Sequence, residues 1–240
     1  MRARILFLLC LVSVSGADSE AVQRKITALT EAADRALASG KLTEAEAGYK
    51  SAIVECDSLP PNKYHCKTDE LRKLGNLYSR LKDPVRAESV LKQRLAILIA
   101  KHAPAVRPDV DIGIALFELM AFMDADSSPA RDAEAANYME RARTFYEQCK
   151  AGFPDLYDVC DIRLADVEGV HGAALAVKKH FDQALPFLKA VIDRGDKGVR
   201  RETMIGALNG YALVLISKGQ SAEAQEFIDR AKRLANGTKK

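Results

Sequence analysis

Five times along the chain an alanine is followed four residues later by a larger residue, and an apolar or small one three after that. The sets are Ala45, Tyr49 and Ala52; Ala87 and Leu91; Ala135, Met139 and Ala142; Ala184, Leu188 and Val191; and Ala224, Ile228 and Ala231. In the second set Arg94 stands in the third place and breaks it. Steps of four and three fall on one face of an α-helix, and a leading alanine lets another helix approach closely. Ahead of each set lies a turn with Gly, Lys or Asp, and ahead of that a second helical stretch with its own small residue. Examples are "DELRKLGNLYSRLKD", with Leu71, Leu74, Gly75 and Tyr78, and "EGVHGAALAVKKH", with Val167, His171, Gly172 and Leu175. A period of this length predicts stacked helix–turn–helix units, none able to bury its apolar face alone. Much Ala and Leu, few aromatics and no Trp favour helix over sheet.

"KLGNLYSRLKDPVRAESVL" and "YALVLISKGQSAEAQEFIDRAKRL" resemble tetratricopeptide (TPR) repeats, with Leu-Gly and an aromatic in the first helix and Ala, aromatic, Ala in the second. The leading alanines are 42, 48, 49 and 40 residues apart, longer than the usual repeat of about 34. "LAILIAKHAPAVRPDVDIG" is similar to the longer units of kinesin light chains. The resemblance implies an all-α, right-handed α-solenoid of about five TPR-like helix–turn–helix repeats, over about 25–59, 67–101, 108–148, 161–195 and 203–236. In the third unit "PDVDIGIALFELMAFMDADSSPARDAEA" leaves the first helix's register open among Ala115, Glu118 and Ala121, and "DADSSPARD" reads as a longer loop.

The opening "MRARILFLLCLVSVSGADSE" has a basic start, a ten-residue apolar run and small residues before Ala17. It reads as a signal peptide over 1–17, cleaved near Ala17, leaving a repeat domain over 18–240. The run is too short to span a bilayer, which takes about 20 residues, so no integral membrane segment is expected after cleavage. Cys10 lies inside the run, after bulky Leu9, and does not read as a lipid-modified cysteine. Cleavage removes Arg2 and Arg4, and 34 basic residues then face 33 acidic ones. This balance excludes a nucleic-acid partner, whose phosphates call for clustered Lys and Arg. A secreted or periplasmic location, in a bacterial periplasm, follows as the expectation.

Four cysteines remain, in "CDSLPPNKYHC" (Cys56, Cys66) and "CKAGFPDLYDVC" (Cys149, Cys160), each pair at a junction between units. No Cys-x-x-Cys supports zinc, thiol exchange or haem, so no metal or cofactor is expected and the cysteines read as disulfides. Four cysteines allow three pairings; locality favours Cys56–Cys66 and Cys149–Cys160.

Catalytic patterns are wanting. None of the four histidines forms His-Glu-x-x-His, and His171 sits at a packing position; no nucleophile elbow or phosphate loop occurs. Asp124 and Asp126 are expected in a solvated loop. Arg194-Gly195-Asp196 reads as a chance match to an adhesion tripeptide, and Asn236-Gly237-Thr238 is a glycosylation sequon only in a eukaryote.

The resemblance implies that first helices line a concave, ligand-binding face. Its candidates are Thr27, Thr30, Asp34 and Leu37 in the first unit, then Asp69, Arg72, Asn76 and Ser79 in the second. Arg72 and Asn76 resemble half of a clamp for a peptide carboxylate, but Gly113 and Leu116 in the next unit do not supply the other half. Gly169, Ala173 and Ala176, then Asn209, Leu213 and Ile216, make the later faces small and apolar. The function expected is a non-enzymatic module for binding a protein or extended peptide. The alternatives are an exported helical-repeat enzyme, a cell-wall-ligand binder or a structural spacer.

Overall fold

The computed structural model describes residues 14–102 and 107–237, with side chains from Asp18 onward. The signal segment over 1–17 lies outside the described residues apart from the backbone of 14–17, and Thr238 of the sequon lies outside as well. Among the described residues there are ten α-helices and no strand. No helix among them is long and apolar enough to cross a membrane.

The chain divides into two compact units, residues 1–103 and 104–240. The first holds α1 (Val14–Ala38), α2 (Leu42–Cys56), α3 (His65–Arg80) and α4 (Pro84–Lys101). The second holds α5 (Val110–Asp124), α6 (Pro129–Gly152), α7 (Tyr157–Val177), α8 (Phe181–Asp193), α9 (Arg201–Ser217) and α10 (Ser221–Ala235). Consecutive helices pair as α1·α2, α3·α4, α5·α6, α7·α8 and α9·α10.

One cap repeats four times. After α1, α3, α7 and α9 the residue in the left-handed region is Gly40, Lys82, Lys179 or Gly219, with φ from 56° to 77°. The next N–H then reaches back to a carbonyl of the closing turn: Lys41 to Ala36, Asp83 to Tyr78, His180 to Leu175, and Gln220 to Leu215, at 2.8–3.0 Å. This double-back satisfies carbonyls that the helix end leaves open. It fixes a three-residue turn, so the second helix returns antiparallel along the first. Gly accepts the left-handed region without strain, whereas a side chain there costs about 1 kcal/mol. Lys179→Gly is therefore expected to raise stability by about 1 kcal/mol, read as a higher denaturant midpoint; an unchanged midpoint would show the strain is relieved elsewhere.

The third turn lacks this cap. Residues 125–128 join α5 to α6, one residue more than elsewhere, and the Ser128 N–H donates to the Asp126 carboxylate at 2.9 Å. Asp124 departs from the solvated loop expected of it. It is the last residue of α5, 7% exposed, and its Oδ2 lies 2.9 Å from Nδ1 of His171 on α7. Lys178 stands 3.8 Å from its other oxygen and donates to Asp132 at 2.5 Å. A carboxylate this buried stays because two basic groups converge on it.

The small residues sit where helices cross. A Cβ on Gly75 would meet Leu91 at 3.0 Å, and one on Gly172 would meet Phe187 at 3.0 Å and Leu188 at 3.1 Å. Arg94, which breaks the alanine pattern, lies inward with the others at 1% exposure. The structure joins Cys56 to Cys66 and Cys149 to Cys160, with Cα atoms 5.8 and 6.3 Å apart. Each loop contains a 3₁₀ turn, Pro61–Lys63 or Pro154–Leu156, and links the end of one helix pair to the start of the next.

Candidate partner-binding face

In the first unit, α1 and α3 are first helices of successive pairs, and polar side chains tie them together. Thr30 donates to Oε1 of Glu70 at 2.9 Å. Lys73 donates to Oδ2 of Asp34 at 3.2 Å, and the Tyr49 hydroxyl of α2 donates to its other oxygen at 2.6 Å. Burial and the Asp34 carboxylate push the Tyr49 phenol up, so it stays a donor.

The five site residues read from the sequence thus separate. Thr30 and Asp34 are engaged between the helices. Asp69 and Arg72 form a spaced pair on α3, 3.7 Å apart, and Asn76 is exposed one turn beyond. Thr27 and Ser79 bond to carbonyls of their own helices, Gln23 and Gly75, while Leu37 is half-buried.

Glu70, which the repeat register did not single out, also belongs to this arrangement. It is 5% exposed, and its Oε2 is buried without a hydrogen-bond partner. The signal was a lone acid on the stripe Glu70, Leu71, Leu74, Leu77 and Tyr78, all buried. Burial is the chief cause holding its carboxyl above the usual range, and the Thr30 hydroxyl partly offsets this. A carboxyl raised in the folded state keeps its proton to higher pH than the unfolded chain does. Stability therefore falls as pH rises from the unfolded value through the raised one. Glu70→Gln keeps an acceptor for Thr30 and removes the charge. It is expected to equal the parent in stability below that window and exceed it above, in melting temperatures measured across pH. A parent curve flat through the window would contradict this.

In the second unit the open face differs. Gly169 is not available to a ligand, since a Cβ there would meet Cγ2 of Thr203 at 2.6 Å, and Ala176 is buried. Gly113 packs against the Tyr146 ring, and Leu116 is buried. These positions serve helix contacts: Gly169 lies where α9 comes against α7, and Gly113 where α6 comes against α5. On α9, Asn209, Leu213 and Ile216 are exposed at turn spacing, with Val177 exposed at the end of α7.

The buried charges of this unit are paired. Asp166 accepts Nε of Arg200 at 2.9 Å, a second bond from Nη2, and the Thr203 hydroxyl at 2.6 Å. Glu168 accepts from Arg194. Arg194 also donates to the Ala190 carbonyl, and Asp196 accepts from Arg230 at 2.7 Å. Both charged ends of the Arg-Gly-Asp tripeptide are thus held in internal contacts.

No protein-family model and no curated protein matches the chain by sequence. Solved structures do match its fold. BtubC (BKLC) from P. vanneervenii superimposes with a TM-score of 0.67 at 16% identity, over 92% of this chain and 94% of that one. The nearly identical TPR-like repeats of a kinesin-light-chain-type protein from Podosopora anserina match with a TM-score of 0.62 at 17% identity, over 90% and 97%. A variant of the latter gives 0.63 at 17%, over 87% and 93%. The chain therefore has a TPR-like, all-α repeat fold of the α-solenoid class.

Proposed function

We propose that this protein is a non-enzymatic binding or assembly module working outside the cytoplasm, and that it holds an extended peptide or another protein against the first helices of its repeats. The observation that carries this reading is the α3 face, where Arg72 and Asn76 stand exposed or half-exposed beside a buried stripe that already supplies the packing. A basic group and an amide four residues apart on one helical face bond well to the carboxylate or backbone of an extended chain. The apolar steps at Leu213 and Ile216 support a side-chain contact for the same kind of partner. Export is supported by the N-terminal apolar run and by two disulfides, which persist in oxidising compartments. Near-balanced charge supports a protein partner over nucleic acid. The double variant Arg72→Ala/Asn76→Ala is expected to fold as the parent does, by circular dichroism and melting, while recovering less of the native partner on co-purification. Unchanged recovery would remove both residues from the site.

A further inference from the structure

We propose that the Cys56–Cys66 disulfide is a reversible redox latch on α3, opened by a dithiol reductant and closed again afterwards, while Cys149–Cys160 is a permanent tie. Such a latch works whether or not a partner lies along the first helices. The two bridges share their setting. Each joins the last turn of one helix to the first turn of the next, and the residues that follow the two cysteines form an ion pair across the junction. Lys67 donates to both oxygens of Asp57, at 2.6 and 2.9 Å. At the other bridge the polarity is reversed, and Lys150 donates to Asp161.

They differ in access. Exchange requires a thiolate to attack a disulfide sulfur, so its rate follows how far that sulfur can be reached. Cys149 and Cys160 are 2% and 0% exposed. The ion pair beside them is covered as well: Lys150 lies 4.8 Å from the centre of the Tyr157 ring, and Arg194 stands 3.8 Å from Asp161. At the first bridge only Cys56 is sealed, in a cluster with Ile26, Ala52 and Leu59, and Cys66 is half-buried. The incoming thiolate therefore attacks Sγ of Cys66. A mixed disulfide forms, and Cys56 leaves as a thiolate and takes a proton. The reductant's second thiolate then attacks its own sulfur in the mixed disulfide, and Cys66 leaves. One dithiol is thus oxidised to a disulfide while the Cys56–Cys66 bond is reduced to two thiols. Cys66 is the second residue of α3, where the open N–H groups of a helix favour a thiolate. This makes it the leaving group of the second step and the nucleophile on closure. Between the two states the Asp57–Lys67 pair holds the ends of the loop together, which keeps closure intramolecular.

Dithiothreitol added to the native full chain tests this, with thiols alkylated at intervals and the four cysteines followed by peptide mass spectrometry. Cys56 and Cys66 are expected to react at least about tenfold sooner than Cys149 and Cys160, which should react only once urea unfolds the chain. Replacing dithiothreitol with oxidised glutathione should re-form Cys56–Cys66 in the folded protein. Asp57→Asn should slow that closure about threefold, the scale of a partly exposed ion pair, and leave the helix content unchanged. In the opened form amide exchange should rise over 57–70 and stay as it was over 150–165. Equal rates at the two bridges, or earlier opening of Cys149–Cys160, would overturn the latch. So would opening that lowers the helix content, or a bond that fails to re-form. A closure rate untouched by Asp57→Asn would overturn the role of the ion pair.

Discussion

Asp166→Ala is expected to destabilise the second unit by about 3 kcal/mol, the lower part of the range for breaking a buried charge cluster. Asp166 is 2% exposed. Its two oxygens satisfy a fork of Arg200 donors from the start of α9 and the hydroxyl of Thr203 one turn further. Arg163 adds a weaker attraction at 3.9 Å. Truncation leaves the Thr203 hydroxyl buried without its acceptor and removes the anchor between α7 and α9. Arg200 is about half exposed and regains water, which keeps the loss from reaching the upper part of the range. Asp166→Asn, which keeps the shape and one acceptor, should fall between parent and alanine variant. Urea unfolding followed by circular dichroism measures both. A loss under about 1 kcal/mol for Asp166→Ala would mean that the cluster contributes no more than a surface pair.

The second large effect concerns Cys149 and Cys160. The closed loop spans 11 residues in sequence and joins α6 to α7. Its loss frees the unfolded chain by about 3 kcal/mol in the loop-entropy account. Both cysteines are buried, so alanine is the better replacement, since a serine would add an unpaired hydroxyl. Cys149→Ala/Cys160→Ala is therefore expected to lower stability by about 3 kcal/mol and to broaden the transition. In a repeat array stability is a sum of neighbour interfaces, and a covalent tie at one junction keeps its two sides unfolding together. An equal stability and an equally sharp transition would contradict this. Non-reducing peptide mapping that linked Cys56 or Cys66 to Cys149 or Cys160 would contradict the pairing itself.

The helix pairs were legible because each carries the same steps of four and three. Ala45, Tyr49 and Ala52 are buried, as are Ala184, Leu188 and Val191. The turns were legible from Gly40 and Gly219, and Lys82 and Lys179 adopt the same backbone without the glycine that marks it. The buried charges were not legible. Asp166 and Arg200 are 34 residues apart, and Asp124 and His171 are 47 apart. A pattern within one helix assigns a lone acid to the surface, because the partner that makes burial tolerable lies a repeat away. The same limit hid Glu70, whose hydrogen-bond partner Thr30 lies 40 residues upstream. Of the candidate site, the exposed half, Arg72 and Asn76, followed from helical spacing; the ties of Thr30 to Glu70 and of Asp34 to Lys73 needed the packing of α1 on α3.

The central claim is that a protein partner lies along the first helices, and site-specific photo-crosslinking tests it most directly. A photoreactive residue replaces Asn76 on α3 or Leu213 on α9 in one set, and the exposed Ser51 on α2, Ser89 on α4 or Gln225 on α10 in another. The account predicts protein adducts in the native compartment from Asn76 within the first unit and from Leu213 within the second, each scored by itself, with none from the second helices of the same unit. Adducts from Ser51, Ser89 and Gln225 while Asn76 and Leu213 stay silent would contradict it.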